Sequence, residues 1–442
     1  MKNPKAPPPE VERWEKFGAQ IGDILARVPE PTVRGRYVHW DKLRHLTPPE
    51  GLTHEAWWFG LKVRRGAMIR RLPLADRLGR PFAYNLTDEL LGYLHRVDSL
   101  AHGAIQQSGL VTDVTNPDTR DRYIIRSLIE ESITSSQLEG ASTTRAVAKE
   151  MIRTGRRPRD RDERMIFNNY RTIRHILDSR DRKLDRDFLF EVHAMMTEGT
   201  LDDPTGTGRF RRPDEDIVVG DHLEEVFHVT PPANDLERRI ALMCDFANGD
   251  LPAGFVPPIV RAIILHFWLA YEHSFIDGNG RTARALFYWS MLRQGYWLFE
   301  YITISRIILN GPVRYGRGFL YSETDGNDLT YFLLYHADVV CQALDELQGY
   351  ISRRSEELAS LQTRLRGLTY LNPRQRELIS HALRHPGCHY TIEPHRSRHG
   401  VVYETARSDL MDLVARGLLR KRKVGKAWVF VPAENLELKL GE

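Results

Sequence analysis

The chain of 442 residues has only three cysteines, Cys244, Cys341 and Cys388, an odd number with no Cys-x-x-Cys spacing. That excludes a disulfide framework and a thiolate zinc site, and it fits a reducing cytosol. No apolar run is long enough to span a bilayer. The most apolar stretch, Ile263 to Tyr271, is broken by His266, and Met1 to Trp14 carries prolines and charges in place of a signal peptide's apolar segment. A cytoplasmic protein with no membrane partner is expected. There is no glycine- or serine-rich tract, so a globular chain of two or three domains is expected. Strong charge of either sign is also missing, and +4 over this length says little about nucleic acid, which must be judged locally.

What is present is concentrated in His273-Ser274-Phe275-Ile276-Asp277-Gly278-Asn279-Gly280-Arg281-Thr282-Ala283-Arg284. Before it, Ile259, Ala262, Ile263, Phe267, Ala270 and Tyr271 recur at helical spacing after Pro257-Pro258, which suits a first helical turn. After it, Ala285, Leu286, Trp289 and Leu292 predict a second helix starting near Arg281. The motif is then a loop between two core helices. Glycines there permit positive φ, so N–H groups converge at the positive end of a helix, a place that binds phosphate. Arg281 and Arg284, three apart on the first turn, offer two guanidinium forks to further phosphate oxygens. Asp277 is a hard oxygen ligand suited to Mg2+, and His273 is placed as a general base. An EF-hand beginning at Asp277 is excluded, since its sixth and twelfth positions are Thr282 and Tyr288 where Gly and Glu are required.

These residues resemble the signature of the Fic family, His-x-Phe-x-Asp/Glu-Gly-Asn-Gly-Arg-x-x-Arg, with every defining position filled and Ser274 where proline is common. The resemblance covers about residues 120 to 365. It implies a mainly α-helical Fic fold and transfer of AMP from ATP to a hydroxyl side chain of a target protein. By that resemblance His273 deprotonates the target Ser, Thr or Tyr, Asp277 binds Mg2+, Gly278, Asn279 and Gly280 hold phosphate, and Arg281 and Arg284 orient the rest of ATP. In Ser135-Ser136-Gln137-Leu138-Glu139-Gly140, the residues Ser135, Glu139 and Gly140 match the family's inhibitory motif, Ser/Thr-x-x-x-Glu-Gly/Asn. The reading is an adenylyltransferase autoinhibited by Glu139. Transfer of another phosphate-linked group, removal of AMP, and a DNA-binding regulator with a nucleotide-sensing Fic domain stay open as alternatives.

Four segments are expected: an N-terminal extension over 1–110, the catalytic domain with its inhibitory helix over 111–327, a connecting helix over 328–368, and a winged helix domain over 369–442. The aromatic clusters Tyr37 to Trp40 and Trp57 to Phe59 suit a small core. Ile217 to Val219 and Val226 to Val229 predict a hairpin, matching the Fic flap whose edge strand pairs with the target segment. Tyr315 and Tyr321, in an aromatic and turn-rich stretch, suit packing better than contact with a nucleobase. The Leu344, Leu347, Ile351, Leu358, Leu361 and Leu365 stripe serves a connecting helix or a homodimer seam. In the tail, helices over Arg374 to Leu383 and Tyr403 to Arg416 precede a basic hairpin with Arg420, Lys421, Arg422, Lys423 and Lys426. DNA contact through these and Arg396, Arg398 and Arg407 competes with protein docking, which Glu404, Asp409 and Asp412 favour.

Overall fold

The computed structural model describes residues 2–100, 117–215, 217–220, 226–251, 254–384, 388–424 and 427–440. Contacts group Met1–Ala101 with Ser127–Leu344 as one unit, and His102–Arg126 with Asp345–Glu442 as a second. The protein is mainly helical, and among the described residues the strands form three separate antiparallel pairs.

In the first unit α1 (Glu10–Phe17), α2 (Ile21–Arg27), α3 (Trp40–Leu43) and α4 (His54–Gly66) enclose Phe17, Ile24, Trp40, Trp57, Trp58 and Phe59, so these aromatics are core. A hairpin that alternation did not reveal follows, β1 (Arg70–Ala75) and β2 (Pro81–Tyr84). Its turn is pinned by Asp76, whose Oδ1 accepts the N–H of Leu78 and of Arg80 at 2.9 Å each. Then come α5 (Asp88–Ser99), α6 (Pro117–Leu138), which enters this unit at Ser127, and α7 (Arg145–Thr154). In α8 (Arg161–Asp178) and α9 (Arg186–Thr197) the helix starts are capped by Asp160 and Asp185, which accept from the third residue on at 2.8 and 2.7 Å.

The expected hairpin is β3 (Val218–Gly220) and β4 (Val226–Val229), with Val219 opposite His228; residues 221–225 lie outside the described set. After α10 (Leu236–Asn248) the motif is carried between α11 (Pro258–Glu272) and α12 (Asn279–Arg293). Helix α11 is apolar nearly all round, and both helices are buried on nearly every face, α12 with polar Asn279, Arg281, Thr282, Arg284 and Ser290 among its buried side chains. Next are α13 (Ile304–Leu309), α14 (Pro312–Thr324) and α15 (Thr330–Gly367), which passes from the first unit to the second at residue 344. The stretch around Tyr315 is therefore helical and not turn-rich. Glycine at 318 serves packing there, since a Cβ would lie 3.2 Å from the Phe332 ring on α15.

The second unit's tail holds α16 (Pro373–Arg384), α17 (Ile392–His399), α18 (Tyr403–Ala415), β5 (Leu419–Val424), β6 (Ala427–Pro432) and α19 (Leu436–Lys439). Its core is built from Leu371, Leu378, Ile379, Leu410, Leu413, Leu418 and Phe430. Helix α17 has no apolar stripe to betray it: His395 is its one fully buried side chain. The expected helix stop at 385–387, and Gly425 and Lys426 of the wing turn, lie outside the described residues. Side chains of Leu358 and Leu361 do as well, so the seam stripe is described only in part. Among the described residues no helix is long and apolar enough to cross a membrane, and none of the three cysteines forms a disulfide.

One buried ion pair anchors the end of α11. Arg239 of α10 donates from Nε and Nη2 to the Glu272 carboxylate at 2.7 Å each, and Trp268 Nε1 donates to the same group at 3.1 Å. Removing one partner of a buried pair leaves the other charge unmatched and costs about 3–5 kcal/mol. Glu272→Ala is therefore expected to lower the urea midpoint of the chain clearly, while Glu272→Leu combined with Arg239→Met recovers most of it. Equal midpoints for wild type and Glu272→Ala would show that the pair does not hold α11.

Candidate active site

Helix α11 ends because His273 takes a left-handed conformation, φ 47° and ψ 53°, uncommon for a residue with a Cβ. Strain of this kind collects at functional sites. Its carbonyl accepts from Arg211 Nε at 3.0 Å, and the Ser274 carbonyl accepts from the Arg211 N–H at 2.9 Å, so one arginine holds the chain as it leaves the helix. His273 Nδ1 lies 3.4 Å from the Ala270 carbonyl, which selects the tautomer with hydrogen on Nδ1 and leaves Nε2 with its lone pair. Burial, resisted by the Ala270 carbonyl and helped by the charge of His228, lowers the His273 pKa to about 4. The imidazole is neutral at physiological pH.

The loop is closed on itself. Asn279 Oδ1 accepts the Phe275 N–H at 2.9 Å and Asn279 Nδ2 donates to the Phe275 carbonyl at 2.8 Å. The Asn279 side chain is thus spent inside the loop, which leaves its backbone N–H for a ligand. Gly278 caps α12 with φ 82°, and a Cβ there would sit 2.7 Å from Thr197 Cγ2. Helix α12 therefore begins at Asn279, two residues before the expected start near Arg281. Gly280 is required for another reason than positive φ: it lies in the first helical turn, and a Cβ would come within 2.3 Å of Glu139 Oε1.

His193, inconspicuous in the sequence, is the loop's base plate. It stacks on Phe275 at 3.7 Å and 5°, lies 2.9 Å from the Asp277 carbonyl through Nε2, and accepts the Gly208 N–H at Nδ1, 3.1 Å. Those partners need a neutral ring with hydrogen on Nε2, in accord with a pKa that burial lowers to about 4. No local pattern could have marked it, because its partners are 15 and 84 residues away.

Arg281 and Arg284 are both buried. Arg281 reaches Asp277 Oδ2 and the Met196 carbonyl at 3.5 Å each, and its buried Nε has no partner among the described residues. Arg284 donates from Nε to Ser135 Oγ and from Nη2 to the Ser135 carbonyl, both at 2.9 Å, and from Nη2 to Glu139 Oε1 at 2.8 Å. Burial lowers the Arg284 pKa, but Glu139, with Tyr315 and Glu131 behind it, more than offsets this, so the net shift is upward. Gly140, φ 94°, turns the chain after α6 and sets Glu139 there. The same cation disfavours charge on its neighbours: His266 and His336 are buried and held neutral, His336 with a pKa near 3, by burial and then by Arg284. Tyr315 OH lies 2.9 Å from His266 Nε2, beside this group. Tyr321 is elsewhere, stacked on His39 at 4.3 Å.

Asp277 is half-exposed, with Oδ1 accepting the Gly278 N–H and Oδ2 3.5 and 3.8 Å from the guanidinia of Arg281 and Arg161. Among the described residues no group of three His, Cys, Asp or Glu is placed to hold a metal. A divalent cation here would have one protein carboxylate and would take its other oxygens from phosphates and water. That is the usual habit of Mg2+, so the residues present fit it.

His228 of β4 ties the hairpin to this site. Its Nε2 lies 2.8 Å from the Tyr271 carbonyl and its Nδ1 2.8 Å from Glu323 of α14. Both partners only accept, so both ring nitrogens carry hydrogen and the ring is an imidazolium. Burial lowers its pKa, but Glu323, the Tyr271 carbonyl and Glu272 together raise it above the ordinary value. With the folded value above the unfolded one, the clamp is complete below the ordinary imidazole pKa of about 6.5 and is lost as pH rises through the raised value. Hydrogen exchange at Val226–Val229, corrected for intrinsic rates, should lose protection with rising pH in wild type but not in His228→Gln. The same pH slope in both would remove His228 from the clamp.

Comparison with known proteins agrees with this geometry. Residues 183–291 match the Fic/DOC family. The chain is 25% identical over 181 residues to the protein adenylyltransferase Fic of Nematostella vectensis, covering 40% of each, and 35% identical over 94 residues to that of Drosophila willistoni, covering 21% of this chain and 17% of the relative. It spans less than half the length of either. A crystal structure of a Fic family protein from Desulfovibrio desulfuricans superposes with a TM-score of 0.52 at 18% identity over 80% of this chain and 98% of that one, a likeness of fold. With the motif complete in sequence and seated between two buried helices, residues 183–291 form a domain of the Fic/DOC family.

Proposed function

We propose that the protein transfers AMP from ATP to a hydroxyl side chain of a target protein, and that Glu139 holds it in check. The observation that carries this reading is the juxtaposition of a neutral imidazole, His273, with the start of α12 and two buried guanidinia within a dozen residues of chain. Nε2 of His273 accepts the target's hydroxyl proton as that oxygen attacks the α-phosphorus, and pyrophosphate leaves. The N–H groups at Asn279 and Gly280, with Arg281 and Arg284, hold the phosphates and offset the charge that develops on them, while the Gly278 N–H is engaged by Asp277 Oδ1. Mg2+, held by Asp277 and phosphate oxygens, would supply further neutralisation. The hairpin suits a target segment: Val218, Val226 and Val229 are exposed, and β3 and β4 form a sheet of two strands only among the described residues, open to main-chain pairing. Relatives named protein adenylyltransferase support the reaction class.

Arg284 cannot serve a γ-phosphate while it is bound to Glu139. The carboxylate also occupies the space over Gly280, at the positive end of α12 where phosphate would lie. ATP bound beside it is displaced, and a misplacement of about 1 Å costs roughly a hundredfold in rate. Glu139→Gly is expected to raise self-labelling by ATP by about that factor. Adding Arg284→Ala should return it towards the wild-type level. Equal labelling of wild type and Glu139→Gly would reduce Glu139 to a helix-end residue.

His273→Ala in the Glu139→Gly background should abolish labelling and leave ATP affinity nearly intact, since the base acts on the acceptor. A parallel loss of affinity in calorimetry would argue against that role. Because the His273 pKa is lowered to about 4, the labelling rate should show no imidazole step between pH 6 and 8.

A second reading uses the same carboxylate. Glu139, beside the phosphate cradle, is also placed to activate water for removal of AMP. Wild-type protein added to AMP-labelled Glu139→Gly protein distinguishes the two, as release of AMP supports removal.

A further inference from the structure

The charge of the chain is segregated. Residues 369–442 hold thirteen Lys and Arg against eight Asp and Glu, a net of +5, so with +4 overall the remaining residues carry −1. The unmatched positive charge is concentrated on β5, with Lys421, Arg422 and Lys423, while Arg396 and Arg398 of α17 and Arg407 of α18 are exposed but paired to Glu393, Glu377 and Glu404.

Two of the three acidic residues of α18, Asp409 and Asp412, do not oppose this field as the sequence suggests. Asp409 is buried and points inward, accepting from Asn372 Nδ2 at 2.7 Å, from Arg374 Nε at 2.7 Å and Nη2 at 3.1 Å, and standing 3.2 Å from His395 Nε2. Asp412 accepts from Gln375 and Arg416 at 2.8 Å each. These carboxylates fasten α18 onto α16 and α17. The outward face of α18 is then Tyr403, Glu404, Arg407, Ser408 and Met411, at spacings of three and four, with Glu404 paired to Arg407 at 3.3 Å. Such a face, carrying a tyrosine, an arginine paired to a glutamate, a serine and a methionine, has hydrogen-bonding and apolar groups with the reach to meet base edges in a groove about 12 Å wide.

The hairpin adds the sequence-independent part. Lys421 and Lys423 stand over the exposed Trp428 ring at 4.0 and 6.0 Å, which gathers two cations on one side of the strand pair. Arg420 and Arg422 alternate to the other side. Arg420 is paired with Glu434, but no ion pair is formed by Lys421, Arg422 or Lys423 among the described residues. A docking surface for a neutral or basic protein has no use for three unpaired cations on one short strand, whereas a phosphate backbone does.

We propose that residues 369–442 form a winged helix-turn-helix module that binds duplex DNA, with the outward face of α18 in the major groove and β5–β6 on the phosphates. The inference is independent of adenylyl transfer. It is tested on the full chain by fluorescence anisotropy with a labelled duplex of mixed sequence, titrated across a salt series starting at about 50 mM. Log K should fall linearly with log salt. Replacing Lys421, Arg422 and Lys423 together by Ala should make the slope shallower by roughly two to three units, about 0.9 for each phosphate no longer neutralised. These side chains are exposed, and an unchanged circular dichroism melt confirms that the fold is kept. Arg157→Ala, an exposed arginine of the first unit, should leave the slope unchanged. Absence of binding at the lowest salt overturns the proposal, as does a slope that ignores the triple substitution. Competition by polyglutamate or duplex RNA as effective as by unlabelled DNA also overturns it, the first pointing to an acidic protein partner and the second to a surface that does not use the DNA groove.

Discussion

The guanidinium of Arg284 is buried at the core of the catalytic unit, and the surrounding arrangement follows from the need to satisfy it. A buried cation without partners is expensive, so the end of α6 is brought to it as Ser135 and Glu139. That position forces glycine at 280, because the carboxylate takes the volume a side chain would need. The histidines at 266 and 336, ringed by aromatic contacts, are held neutral first by burial and in lesser part by the Arg284 charge. Partners that satisfy Arg284 within the chain are also partners that a phosphate would have to replace. Stability of the folded unit and readiness of the site therefore pull in opposite directions at one side chain.

The loop before α12 is rigid for a related reason. Nearly all of its hydrogen-bonding capacity is used inward, by Asn279 on Phe275, by His193 on Asp277 and Gly208, and by Arg211 on His273 and Ser274. What is left facing outward is the His273 ring, the Asp277 carboxylate and the first N–H groups of the helix. Holding a histidine in left-handed backbone costs energy that the surrounding bonds offset, and the result is an imidazole whose position does not depend on a ligand being present. His228 links the same helix end to the hairpin, so the β3–β4 pair and the His273 imidazole are mechanically joined.

Much of the scaffold was legible because it rests on local chemistry. The two motif helices followed from apolar spacing and the Pro257-Pro258 start, and the β3–β4 hairpin from two short extended runs. Elements whose cause is not local were missed. The β1–β2 turn depends on Asp76 catching two N–H groups, α14 depends on Gly318 letting it approach α15, and α17 exposes so many polar side chains that no apolar stripe signals it. Asp409 misled in the opposite direction: read as an exposed acid on a helix, it is the buried anchor between three helices.

By itself the sequence determined the chemical inventory of the site: a histidine ending one helix, a carboxylate, a glycine turn and two arginines opening the next. Those follow from spacing along one stretch of chain, where helical geometry leaves little freedom. Only the tertiary structure decided which of these groups are spent and which are free. Asn279 is consumed in closing its own loop, Arg284 is engaged by Glu139 from 145 residues away, and His193 supports the loop from a distant helix. Such pairings are set by which helix packs over which, and that is decided by burial summed over the whole unit. No window of the sequence contains that sum.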